Sequence, residues 1–192
     1  MVEVLELTPA VRQARSKWRY RGGERPVFAD ACGPDDESVW DFPRPPRVEA
    51  VVAPLRVVYG QQVLAASSRA VRVLETAGAP TYYFPPEDVE TSLLVDLAGQ
   101  SLCEWKGLAT SFRVRDQPDG SPAAGWRYDL TFPEFVSIQG WFSFYPGVLA
   151  CFITDDHGID EQVRSQPGGY YGGWVTARLK GPIKGEPDSE AW

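Results

Sequence analysis

The sequence predicts an all-β protein, mainly antiparallel, with bent sheets of about eight short strands, one short N-terminal helix and long irregular arms. Three observations predict it. Apolar residues alternate at period two over much of the stretch from Leu55 to Phe152. Gly (18) and Pro (17) interrupt the chain throughout, which favours many short elements joined by turns. Only one stretch carries a full set of helix-start signals. At 192 residues the chain is long enough for one domain with extensions and needs no metal or disulfide to bury a core. The reading divides it into a helix and Pro-rich arm (1–47), a core domain (48–153) and a Gly/Pro-rich tail (154–192).

Thr8 is placed to cap the helix start, Pro9 suits its first position, and the helix runs from Val11 to Trp18 before Gly22-Gly23 ends it. Residues 30–47 read as an ordered, irregular arm lying across the surface, stiffened by Pro43-Arg44-Pro45-Pro46. Leu55, Val57 and Tyr59 share a face, and Gly60-Gln61-Gln62 turns the chain into Val63-Leu64-Ala65 as a hairpin. Val71 and Val73, then Thr81 to Phe84, give two further strands, and Pro85 to Val89 a single helical turn with Asp88 as a cap. Phe112 and Val114 alternate with arginines. The loop 116–125 returns the chain to Trp126, Tyr128, Leu130 and Phe132. Trp141 to Tyr145 and Val148 to Ile153 read as a last pair turned at Pro146-Gly147. The tail, with its Gly-Gly-Tyr-Tyr-Gly-Gly-Trp run, either wraps back through its aromatics or is partly disordered.

The formal net charge is −7, from 19 Lys and Arg against 26 Asp and Glu. A groove that tracks phosphates needs a positive field, so nucleic-acid binding is disfavoured. The basic stretch from Arg12 to Arg25 reads as a solvated face that docks on acids of its own chain. No apolar run is long enough for a membrane helix, and the first residues carry acids where a signal peptide needs bases, so the expectation is a cytoplasmic protein with no membrane partner. Cys32, Cys103 and Cys151 are far apart, and His157 is the only histidine, which speaks against a zinc site. The acidic loop around His157 reads as a polar turn before a metal site. No cofactor is expected.

Three ordered strings, Glu37 to Pro46, Thr81 to Val89 and Cys103-Glu104-Trp105-Lys106-Gly107, together resemble the family catalogued as domain of unknown function 427, over roughly residues 18–153. The resemblance implies a compact β-tent-like fold, akin to zinc-bearing small-molecule and methionine-sulfoxide domains, and no established activity. β-Tent relatives usually hold zinc through two Cys pairs, which this chain lacks. The family also carries a loose nucleotidyltransferase-like label. That chemistry normally needs a Gly-Ser turn followed by paired Asp residues, and no such pair follows Ser67-Ser68.

A strand reading of the third string puts Glu104 and Lys106 on one face and Cys103 and Trp105 on the other. Glu104 and Lys106 are then the candidate catalytic residues, an acid/base or charge-clamp pair, with a surface ion pair as the plainer reading. Trp40, Asp41 and Arg44 on the arm offer a stacking face and a planar fork for carboxylate or phosphate. Tyr82 and Tyr83 point to opposite faces, one into the core and one available to a ligand. With Trp105 and Tyr145, these complete the candidate ligand-binding set. The function read from them is binding of a small polar or anionic metabolite in a cleft between sheet and arm, with metal-free acid/base turnover as its extension. The alternatives are a peptide or modified-residue module with an aromatic cage of Trp105, Trp141 or Tyr145, and a structural component that pairs as a homodimer through exposed strands.

Overall fold

The structure is a computed structural model that describes residues 2–189 and 191–192. Among the described residues the chain forms one α-helix, α1 (Pro9–Ser16), and fifteen strands. These are β1 (Glu37–Ser38), β2 (Arg47–Ala50), β3 (Leu55–Tyr59), β4 (Gln62–Ser67), β5 (Val71–Leu74), β6 (Thr81–Tyr83), β7 (Leu94–Cys103), β8 (Gly107–Val114), β9 (Gly125–Thr131), β10 (Phe142–Phe144), β11 (Ala150–Thr154), β12 (Asp160–Gln162), β13 (Arg164–Ser165), β14 (Trp174–Val175) and β15 (Leu179–Lys180). The fold is all-β, with more strands than the eight the alternation shows. The additional ones are mostly pairs of two or three residues, too short to carry a period. The ten-residue β7 is an exposed edge strand without an apolar face. No helix among the described residues is long and apolar enough to cross a membrane.

Three antiparallel sheets carry the architecture: β2-β5-β6, β12-β11-β3-β4 and β10-β9-β8-β7. Phe84 and Phe142 exchange backbone hydrogen bonds at 2.8 and 3.0 Å, which joins the first sheet to the third. The first core fills with Leu55, Val57, Leu64, Phe84, Phe112, Phe144 and Trp174. The hairpin at Gly60 forms as its sequence predicts. The pair expected around Pro146-Gly147 does not form: β10 pairs with β9 and β11 with β3. The chain changes sheet there, because Val148 and Leu149 both donate to the Tyr145 carbonyl and turn it away from β10.

Thr8 Oγ1 accepts from the Val11 N–H at 3.3 Å, and α1 stops at Ser16, short of Trp18. The single turn after Pro85 is a 3₁₀ turn, Pro86–Asp88, with no side-chain cap; Asp88 instead accepts from Ser67 Oγ at 2.6 Å and pairs with Arg69. The arm does not lie across the surface. Val39, Trp40 and Phe42 are buried and form a second core with Leu74, Val175 and Leu179. The tail wraps back into both cores. Trp174 is fully buried, its backbone N–H donates to Pro80 O and its indole N–H to Phe144 O at 3.1 Å. β15 pairs in parallel with β1 of the arm.

Two predictions follow from this packing. Trp174→Ala empties a core site shared by tail and sheets and lowers unfolding free energy by about 3–5 kcal/mol in a denaturant titration; a loss under about 1 kcal/mol would make the tail an appendage. Arg69 and Arg127 hydrogen bonds hold Asp88 and Asp96 below the usual carboxylate range. A depressed folded value stabilises above the unfolded one, so stability is level from pH 6 to 8 and falls as pH drops below about 4.

Candidate functional site

The string Cys103 to Gly107 is not a strand. β7 ends at Cys103, residues 104–106 form a tight turn, and β8 starts at Gly107. Gly107 has φ 137°, and a Cβ there would run into the Leu130 carbonyl of β9. Only glycine permits this turn so close to β9. The two-face reading of this string therefore fails: Cys103, Glu104, Trp105 and Lys106 all line one cavity of about 390 Å³.

The helix fixes the turn from outside. Arg15 Nε donates to the Glu104 carbonyl at 2.7 Å and its Nη2 to the Trp105 carbonyl at 3.3 Å, while Nη1 pairs with Glu134 at 2.9 Å. Of the basic stretch, Arg15 and Arg25 dock on acids of their own chain, Arg25 on Asp41 at 2.6 Å. Trp18, just past the helix, donates its indole N–H to Glu104 Oε1 at 2.9 Å. The Cys103 thiol is a weak donor to Glu104 Oε2 at 3.9 Å.

Lys106 is buried, and its Nζ meets Glu75 Oε2 at 3.5 Å. Burial alone pulls its ammonium down, but the attraction of the acidic groups around it, the Glu75 and Glu104 carboxylates among them, outweighs that and holds it above the ordinary lysine value. It is charged at neutral pH. Glu75 Oε1 also pairs with Arg44 Nη2 at 3.3 Å. Arg44 further donates to the Tyr20 and Thr76 carbonyls, both at 2.8 Å, and its guanidinium stacks over Trp18 at 4.4 Å. Arg44 lines a second hollow of about 100 Å³ that shares Glu75, Thr81, Lys106, Tyr171, Gly172 and Lys184 with the first.

Much of the rest of the cavity is aromatic, with Thr81, Ser101, Leu102, Ala109 and Ser111 between the rings. Trp105, Trp126, Tyr128, Tyr145, Tyr170 and Tyr171 join Trp18 in the lining. Trp126 and Tyr145 lie 4.7 Å apart, tilted by 50°. The tail closes one side: Gly172 passes so near the Trp126 ring that any Cβ would overlap it. Lys184 places its ammonium 3.4 Å from the Trp18 ring centre. Burial raises the phenols of Tyr83 and Tyr128 and takes Tyr145 to about 12, so all three are neutral donors. Tyr83 Oη and Trp105 Nε1 are buried with no hydrogen-bond partner among the described residues. No group of three His, Cys, Asp or Glu side chains converges as metal ligands among those residues.

Of the residues singled out in the sequence, Glu104, Lys106, Trp105 and Tyr145 come together in the cavity, and Arg44 reaches the adjoining hollow. The others lie elsewhere. Trp40 is fully buried in the second core and donates to the Gly181 carbonyl at 3.2 Å. Asp41 is exposed and held by Arg25. Tyr82 and Tyr83 do leave β6 on opposite faces, but both are buried. Tyr82 packs on Trp174 at 4.7 Å and Tyr83 on Trp126 at 6.2 Å. Trp141 packs against the buried cluster of Tyr83, Trp126, Tyr128 and Phe135, outside the lining. Sequence reasoning missed Glu75, Lys184 and the part that Trp18, Trp126, Tyr128 and Tyr171 play. The one signal was the crowding of aromatics with glycine at 168–174, which favours close packing of backbone on rings.

The search of curated proteins found no match. A family model described as a domain of unknown function (DUF427) matches residues 47–155. That span supplies Glu75, the turn at Glu104–Lys106, Trp126, Tyr128 and Tyr145; Trp18, Arg44, Tyr171 and Lys184 come from the flanks. The match covers more than half of the chain, which belongs to this family.

Proposed function

We propose that the cavity beside the β7–β8 turn binds a small polar or anionic metabolite. Lys106 carries the reading. Its ammonium has three donors and one long protein contact, and it lies at a hollow whose volume falls at the small end of ligand sites. A buried charge with donors to spare gains from an acceptor brought by a ligand. The aromatic walls supply flat apolar area around it. Arg44, held by three partners of its own chain, acts as a pin for the arm and stabilises the floor through Glu75. In this reading Glu104, two residues from Lys106 and hydrogen-bonded by the Trp18 indole, takes a proton from a bound substrate.

Thermal melts across a panel of metabolite acids and polar heterocycles test this. A ligand at about 100 times its Kd stabilises by about 2.7 kcal/mol, which raises Tm by about 5–10 °C for a chain this long. Lys106→Met abolishes the shift, and so does Gly172→Val, whose side chain overlaps the Trp126 ring in the cavity lining. A shift that survives both variants places binding elsewhere, and a panel without any shift overturns the proposal. Lys106 is held above the ordinary lysine value of about 10.4, so the response to an anion stays level from pH 7 to about pH 10. A loss between pH 7 and 9, read by the same melts, would assign the contact to another group.

A further inference from the structure

Glu104 and Lys106 lie on one short turn and line one cavity, yet they do not pair with each other within 4.0 Å. Lys106 reaches Glu75 instead. Glu104 has no cationic side chain within that distance among the described residues; its neighbours are the neutral Trp18 indole N–H and the weak Cys103 thiol. The protein therefore holds two opposite charges close together but apart, each with hydrogen-bonding capacity left over. Taken with Glu75, Arg44 and Lys184, the charged side chains around the cavity and the adjoining hollow are three cations and two carboxylates, of which Arg44 pairs with Glu75 and Lys184 lies over the Trp18 ring. A lone anion here satisfies Lys106 but meets repulsion from Glu104, and a lone cation does the reverse. One molecule answers both demands if it carries a carboxylate and an ammonium on neighbouring atoms.

The walls add a second requirement. Trp105, Trp126, Tyr128 and Tyr145 give ring surface on the side of β8 and β9, and Trp126 with Tyr145 already forms a tilted pair at 4.7 Å. The adjoining tail adds Tyr171. A planar ring gains contact and edge-to-face attraction among them. The volume of about 390 Å³ suits a ligand of one or two rings, at the low end of the range for drug-sized molecules.

Resting on the metabolite-binding reading above, we propose that the ligand is a zwitterion with an aromatic side chain, an aromatic α-amino acid. Its carboxylate goes to Lys106, its ammonium to Glu104 and its ring to the wall of Trp126 and Tyr145. Glu104 and Lys106 then act as the specificity residues.

Calorimetric titration of the full chain with four probes tests it: L-phenylalanine, 3-phenylpropionate (no ammonium), 2-phenylethylamine (no carboxylate) and L-alanine (no ring). L-Phenylalanine binds, and each of the others binds at least tenfold more weakly. Glu104→Gln weakens L-phenylalanine about tenfold and tightens 3-phenylpropionate, which no longer faces a carboxylate; Tyr145→Leu weakens both. Far-ultraviolet circular dichroism checks that each variant is folded, and equal loss of every probe in a folded Glu104→Gln overturns the role of Glu104. Binding of 3-phenylpropionate as tight as that of L-phenylalanine overturns the zwitterion and leaves the anion site standing. L-Alanine binding equal to L-phenylalanine removes the ring requirement and overturns the aromatic part. Tightest binding by 2-phenylethylamine overturns both this inference and the anion reading. Silence from all four probes overturns this inference alone if the metabolite panel still gives a Lys106-dependent shift, and both if it does not.

Discussion

Glu75 holds two cations that reach it from distant parts of the chain. Arg44 comes from the Pro-rich arm and Lys106 from the turn between β7 and β8, while Glu75 itself follows β5. The carboxylate is a single point at which arm, first sheet and third sheet are tied. Such a cluster adds little net stability, because desolvating three charges costs about as much as their attraction returns. Its effect is on position. Removing Glu75 leaves the buried Arg44 and Lys106 without their shared carboxylate, so the three segments hold one arrangement. Arg44 extends the tie to the Tyr20 and Thr76 carbonyls and to the face of Trp18. Trp18 in turn orients Glu104. The cavity's charges are thus set by contacts that run through the whole molecule.

The same economy shapes the walls. The family domain, residues 47–155, contributes the sheet side with Trp126, Tyr128 and Tyr145, and the flanking segments close it. Helix α1 clamps the turn through Arg15, whose guanidinium also lies 5.0 Å from the Trp105 ring centre and 4.8 Å from that of Phe132. The tail lays Gly172 on Trp126 and Lys184 on Trp18. It is anchored by Gln166, which accepts from the Ala79 N–H at 3.0 Å and donates to the Lys184 carbonyl at 2.8 Å. Backbone packed and hydrogen-bonded on both sides of an aromatic hollow favours preorganisation of the walls.

Strand alternation was readable wherever one face meets the core, as at Leu55 to Tyr59 and Phe112 to Val114. β7 escaped because an edge strand with both faces partly wet has no reason to alternate. The helix was readable because capping is local chemistry: Thr8, Pro9 and their backbone donors lie within one turn. The site was only half legible. Glu104, Trp105, Lys106 and Tyr145 were named, but the strand reading of residues 103–107 set Cys103 and Trp105 on the wrong side. A turn that depends on the approach of β9 to Gly107 has no signature within five residues. Trp40 misled for a similar reason. An indole on a proline-stiffened arm looks like a docking group until the tail brings Val175, Leu179 and the Gly181 carbonyl to bury it.

The amino-acid sequence alone determined the class of the fold, the place of the helix and its cap, and the hairpin at Gly60. Each of these depends on neighbours within a few positions or on a period, and so is written in short stretches of chain. The tertiary structure decided which sheet each strand joins, that arm and tail are core, that Glu75 ties Arg44 to Lys106, and that Glu104 and Lys106 share a cavity without pairing. Those outcomes rest largely on contacts between distant residues, such as Lys106 with Glu75, 31 positions apart, and Trp40 with Gly181, 141 apart, and burial and charge balance at such range emerge only when the whole chain has packed.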